Sequence, residues 1–180
     1  MMFKKILLMF CAIMIVTFSG GWFWNTEKKY FEMTPKEFIS LYNEQLNNLA
    51  KIDGKDYSNF EITGIKETKK EIYTYSLKDA PLFVGIVGVN EDDNLAAVTA
   101  GAVGDDIYPV AMAVVQAIPK SAQIPNIKEK LTKAIDTVPK SAFAQSNIIS
   151  ENGVQINITY SDGQYIVLVV DEKALEKSRK

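Results

Sequence analysis

Residues 82–103 read LFVGIVGVNEDDNLAAVTAGAV, two apolar runs on either side of the polar turn Asn90-Glu91-Asp92-Asp93-Asn94. Leu82 to Val89, opened by Pro81, is apolar almost throughout and suits a strand in the middle of a sheet, covered on more than one side. Leu95 to Val103 returns as a second, alanine-rich strand. Upstream, Phe60 to Ile65 alternates, and Ile72-Tyr73-Thr74-Tyr75-Ser76-Leu77 is β-branched and aromatic; both read as strands. Four strands joined by short links predict an antiparallel meander.

Before the meander, Thr34-Pro35-Lys36-Glu37 combines an N-cap, a proline at the first helical position and an acid placed for a capping box. Phe38, Leu41, Tyr42, Leu46 and Leu49 then fall at three- and four-residue spacings, one apolar stripe of a core-facing helix that ends by Gly54. After the meander, Asp105 or Asp106 is placed to cap a helix with Pro109 in its first turn. Val110 to Ile118 of that helix is apolar nearly all round, which predicts burial, and Pro119 ends it. Asn126 to Val138, bounded by Pro125 and Pro139, carries Ile127, Leu131, Ile135 and Val138 on one face.

The last third returns to strands. Phe143 to Ile149 and the alternating Val154 to Tyr160 flank the hairpin signal Asn152-Gly153. Ser161-Asp162-Gly163 turns the chain into a final apolar strand, Tyr165 to Val170. The fold expected is therefore α+β. Antiparallel sheet or sheets in two meanders, about four strands and then three, pack against an N-terminal amphipathic helix and two central helices. Each half is a helical part followed by a meander, without a residue-level repeat between them.

The start of the chain has a different character. Lys4 and Lys5 precede thirteen uncharged residues, Ile6 to Phe18, and the small residues Ser19, Gly20 and Gly21. A positive start, a short apolar core and a small-residue exit are the three parts of a secretion signal. A spanning helix needs about 20 residues, so cleavage is favoured over an anchor. Left uncut, residues 6–24 would form a marginal span ending in the interfacial aromatics Trp22, Phe23 and Trp24. Cys11 follows Phe10 inside the apolar core, which is the wrong context for lipid attachment. The organisation expected is a signal at 1–21, an aromatic and polar lead-in at 22–32, one domain at 33–171 and a charged tail at 172–180. The protein is expected to be exported: periplasmic, in the cell envelope or secreted.

Composition narrows the chemistry. The chain of 180 residues has 20 basic and 22 acidic side chains; without residues 1–19, which hold two of the lysines and no acid, the net charge is −4. That mild acidity, with Arg179 the sole arginine, gives no footprint for nucleic acid. There is no histidine, and the single cysteine lies in the signal. Ser–His–Asp and Cys–His catalysis in cis are thereby excluded, as are zinc or copper sites of nitrogen and sulfur ligands. No disulfide can form within the mature part either.

Each remaining candidate has a plainer explanation. Glu91, Asp92 and Asp93 could attract calcium but lack the alternating spacing and glycine of a calcium loop, so they read as a solvated hairpin tip. Asp105 and Asp106 could be a carboxylate pair, yet consecutive acids at a helix start serve capping and the helix dipole. Tyr73 and Tyr75 share a strand face, where aromatics make cross-strand pairs. Gly85, Gly88, Gly101 and Gly104 lack both phosphate-loop and dinucleotide spacing and are expected to allow close packing of the buried helix. No catalytic residue, metal site or cofactor is assigned, and no ligand-binding residue is singled out. The expected function is a non-enzymatic exported binding domain whose partner is an envelope protein or a small apolar ligand. A carboxylate-based envelope hydrolase and an anchored structural component are the alternatives.

Overall fold

The computed structural model describes residues 31–69, 72–77, 84–89, 94–140, 145–161 and 163–174, with the backbone alone for 66–69, 72–77 and 84–89. The signal, Trp22 to Trp24 and the acidic turn Glu91-Asp92-Asp93 lie outside the described residues, as do the side chains of Tyr73, Tyr75 and the apolar run up to Val89.

The first helix, α1, spans Pro35–Asp53. Its capping box is complete: the Glu37 N–H donates to Thr34 Oγ1, while the Thr34 N–H donates to Glu37 Oε2 at 2.7 Å. Gly54 closes the helix at φ 63°, a left-handed position that suits glycine. Phe38, Tyr42, Leu46 and Leu49 are buried along the expected stripe. The chain then departs from expectation at Phe60, which belongs to a 3-10 turn, Ser58–Phe60. β1 starts at Ile62 because Asn43 of α1 holds it there. The Asn43 amide accepts from the Ile62 N–H at 2.9 Å and donates to the Ile62 carbonyl at 3.0 Å.

The strands β1 (Ile62–Lys69), β2 (Ile72–Leu77), β3 (Val84–Val89) and β4 (Leu95–Val103) form the first meander. A 3-10 turn, Gly104–Asp106, leads into α2 (Ile107–Ala117). A short turn of helix, α3 (Pro119–Ala122), precedes α4 (Ile127–Thr137). The second meander is β5 (Gln145–Glu151), β6 (Val154–Ser161) and β7 (Gln164–Asp171). The expected α+β class holds. The two meanders join edge to edge, β4 against β7, into one seven-stranded antiparallel sheet of order β1-β2-β3-β4-β7-β6-β5. Asn152 and Gly153 both have positive φ, 55° and 72°, as the expected hairpin turn requires.

Register sorts the strands into two faces. Val98 pairs with Val169 and Ala100 with Val167, while Ile156 and Ile158 face the same two β7 residues from the other side. These side chains share one core with Phe38, Val114 and Leu131, so the helices pack on that face. Alternation along β6 is clean: Val154, Ile156 and Ile158 are buried, and Gln155, Asn157 and Thr159 are half-exposed. A bulge at Ala96, where two residues of β4 oppose one step of β3, resets the parity and lets Leu95 join the same core as Val98. Both backbone groups of Leu95 are taken by the chain at its first described residues: Phe31 N–H donates to the Leu95 carbonyl, and Leu95 N–H to Met33. On the opposite face Ala96, Ala97, Val170 and Ala174 form a smaller cluster beside Leu168.

The central helix α2 is buried as its composition demands, from Val110 through Val115 and again at Ala117. Its start corrects the sequence reading. Asp106 occupies the cap position but in helical conformation, φ −63° and ψ −18°, and its side chain makes no capping bond. The preceding 3-10 turn takes the Ile107 N–H on its own Gly104 and Asp105 carbonyls, a backbone start in place of a side-chain cap. Gly104 is likewise a turn residue at φ 59° with open space where a Cβ would stand; its backbone angle, and not close packing, calls for glycine. At the far end, Ser121 is fully buried and its hydroxyl lies 2.6 Å from the Val115 carbonyl and 2.9 Å from that of Ile118, closing α2. Among the described residues no helix is long and apolar enough to cross a membrane.

Candidate functional site

A concavity built from several elements lies where β4 hands the chain to α2. It is a cleft of about 610 Å³ between the C-terminal end of α1, the start of α2 and the first turns of α4. Leu49, Pro109 and Met112 give it apolar walls, while Asp53, Lys55, Asp105 and Lys128 stand around them. Tyr57, Tyr108 and Thr132 complete the lining. Leu49 and Met112 are buried, which makes them a fixed floor, and the four charged residues are exposed, which makes them a rim.

Both tyrosines are positioned by carboxylates. Tyr57 donates to Asp53 Oδ2 at 2.9 Å, one helical turn apart across the end of α1. Partial desolvation raises its hydroxyl pKa, reinforced by the Asp53 bond and by the fields of Asp53 and Asp106. Tyr108 donates a short hydrogen bond to Asp136 on α4. That bond, with lesser contributions from burial and from the charge of Asp136, pushes the Tyr108 pKa up to about 12. Each phenol therefore stays neutral at physiological pH and presents its ring to the cleft with the hydroxyl already engaged.

Next to the same junction, Tyr160 and Tyr165 stack edge to face with ring centres 4.9 Å apart. Lys140 lies over both rings, 5.9 Å from the first centre and 5.6 Å from the second. Its pKa is raised, chiefly by its hydrogen bond to Tyr165 and the interaction with that phenol's charge, with smaller effects from Tyr160 and Asp105. This end of the domain thus collects four tyrosines and three of the lysines.

The two acids at this junction do not act as a pair. Asp105 lines the cleft, whereas Asp106 reaches Tyr57 only through its field, and both are exposed. The carboxylate buried among the described residues is Asp171, at the opposite end of the sheet. It is held by Lys120 at 2.6 Å and accepts the Lys173 N–H at 3.0 Å. Among the described residues no group of three or more acids, histidines or cysteines is placed to hold a metal. Sequence reading did not find the cleft, since its residues come from three segments with no shared motif. Its two tyrosines, Tyr57 and Tyr108, stand in separate segments, and neither was singled out by the sequence.

No family model matches the chain, and no curated protein matches it. Among solved structures, a DUF4309 family protein from Bacillus subtilis aligns over 77% of this chain and 97% of its own, at 9% identity and a TM-score of 0.32. A likeness at that level carries no argument about fold or function.

Proposed function

We propose that this is a non-enzymatic binding domain of an exported protein, and that it holds a polypeptide segment of another envelope protein in the cleft between α1, α2 and α4. The observation that carries the reading is the lining of that cleft: a buried apolar floor of Leu49 and Met112 inside an exposed rim with charges of both signs. An apolar side chain fits such a floor, while the polar backbone and flanking charges of a peptide fit the rim. A small apolar ligand would leave Lys55, Asp105 and Lys128 without a role. Tyrosine rings with their hydroxyls already bonded add contact area at little entropic cost. Export rests on the signal-like residues 1–21. The hydrolase alternative gains nothing from Asp171, because its two oxygens are already taken by the Lys120 ammonium and the Lys173 N–H.

The test is affinity capture from envelope extract with the full chain and with the exposed-rim variants Lys128→Glu and Asp105→Lys. A protein retained by the parent and lost by the variants, with melting temperatures unchanged, is the expected result. Capture that is indifferent to both substitutions would remove the cleft from the binding surface.

A further inference from the structure

The sheet ends at β5, and among the described residues this edge carries few of the devices that usually keep an edge strand from pairing. Gln145–Glu151 contains no proline, lysine or arginine. Its register with β6 runs without a shift through seven pairs, from Gln145 with Tyr160 to Glu151 with Val154, so no bulge twists it away. From the helix side the strand is held in place. The Asn147 amide donates to the Ala134 carbonyl at 2.8 Å and to Thr137 Oγ1 at 3.0 Å, both on α4. On the other side stands Ile148, 59% exposed and one of the few large apolar side chains left open among the described residues.

The hairpin turn determines which backbone groups are free for pairing. A two-residue turn at Asn152-Gly153 closes with Glu151 and Val154 bonded to each other, so alternate residues Glu151, Ile149, Asn147 and Gln145 spend their hydrogen bonds on β6. Ser146, Ile148 and Ser150 then direct their N–H and carbonyl groups outward. The side chains agree: Ser146 and Thr159 lie with hydroxyls 2.7 Å apart, as expected for the closer, non-bonded pairs of an antiparallel ladder.

We propose that β5 is a self-pairing edge, through which two copies of this chain join antiparallel about a two-fold axis at Ile148. The strand is complementary to itself in that arrangement. Ile148 meets the partner's Ile148, so the exposed apolar side chain is covered by its own kind. Ser146 meets the partner's Ser150, whose hydroxyl donates to Glu172, and Gln145 meets the partner's Glu151, whose carboxylate pairs with Lys130 of its own α4, so no like charges are opposed. The three residues with outward backbone groups fall opposite one another in this register, each giving and receiving one bond. The surface is separate from the cleft, so this inference does not depend on the peptide-binding reading.

The experiment uses the full chain, purified in mild detergent, and measures its mass by sedimentation over a range of concentrations. The parent is expected to dimerise. Ile148→Pro removes an N–H that points away from β6, which an edge strand tolerates, and is expected to be monomeric. Ile148→Lys keeps that N–H but sets like charges against each other at the axis, and it should also be monomeric with an unchanged melting temperature. In a Cys11→Ser background, Ile148→Cys should be joined into dimers by a short bismaleimide, while the exposed control Ile52→Cys should not. A parent that stays monomeric at every concentration overturns the proposal, and if it instead binds an added extended peptide at β5, the edge belongs to a foreign strand. A dimer that survives both Ile148→Pro and Ile148→Lys overturns it equally.

Discussion

Lys120 Nζ lies 2.6 Å from Asp171 Oδ2, and the carboxylate it neutralises is 0% exposed at the end of β7. The ammonium keeps part of its surface in water, at 35% side-chain exposure, and also lies 5.8 Å from the centre of the Phe31 ring. The pair is therefore asymmetric, and so should be the cost of breaking it. Lys120→Met strands a buried charge and is expected to cost about 3 kcal/mol, the low end for a broken buried pair. Asp171→Asn keeps an acceptor for the Lys173 N–H and lets Lys120 turn to solvent, so about 1 kcal/mol is expected. Urea denaturation of the two variants checks this. Equal losses would mean that water already reaches Asp171.

Val114→Asp is expected to unfold the domain. Val114 is fully buried on a helix whose neighbours Val110 to Val115 are all buried, so no rotation of α2 exposes it. An unpaired buried carboxylate costs several kcal/mol, against a total stability of roughly 5–15 kcal/mol for a typical domain. Far-ultraviolet circular dichroism and a thermal melt decide it. A melting temperature within a few degrees of the parent would place α2 at the surface.

Thr34→Ala should cost about 1 kcal/mol by removing the N-cap oxygen of α1. The Glu37 half of the box adds a pH signature. Hydrogen bonds from the Thr34 backbone, and then from its side chain, lower the Glu37 pKa from its ordinary 4.5. A folded-state pKa below the unfolded one gives stability that is present above pH 4.5 and lost as pH falls through the folded value. Glu37→Gln should therefore differ from the parent at pH 7 and converge with it in acid. Parallel stability curves down to pH 3 would contradict this.

Tyr108 should titrate late. Its pKa of about 12 lies above the ordinary 10, so the native state holds the proton more tightly, and that stabilisation is complete below pH 10 and lost as pH rises through 12. Tyrosinate absorbance should show one group titrating near pH 12 that is missing in Tyr108→Phe. Because the bond to Asp136 is the largest cause, Asp136→Asn should bring the titration back toward 10. A parent and a Tyr108→Phe variant with superimposable curves above pH 11 would rule the bond out in solution.

Much of the secondary structure was legible because its causes are local. The Thr34–Glu37 capping box acts over three residues, Asn152-Gly153 encodes its own turn, and the alternation in Val154 to Tyr160 needs only a period of two. Where competing local options existed, the reading slipped. Phe60 has strand-like neighbours, but Tyr42 accepts it into the turn before β1 by donating its hydroxyl to the Phe60 carbonyl at 3.1 Å. Asp106 has the right side chain for a cap, and a 3-10 turn took its place. The cleft was not legible at all, since Asp53, Asp105 and Lys128 come from three separate segments that only packing gathers.

By itself, then, the sequence determined the class of fold, the burial of Val110 to Ile118 and the absence of histidine chemistry, because period, composition and capping act within a few residues. Tertiary structure alone decided that the two meanders make one sheet, through β4 and β7. It alone buried Asp171 against Lys120, 51 residues away, and left Ile148 on an open edge. These outcomes depend on which distant surfaces meet. Each apolar strand edge or face satisfies many partners equally well until the burial of all the others selects one.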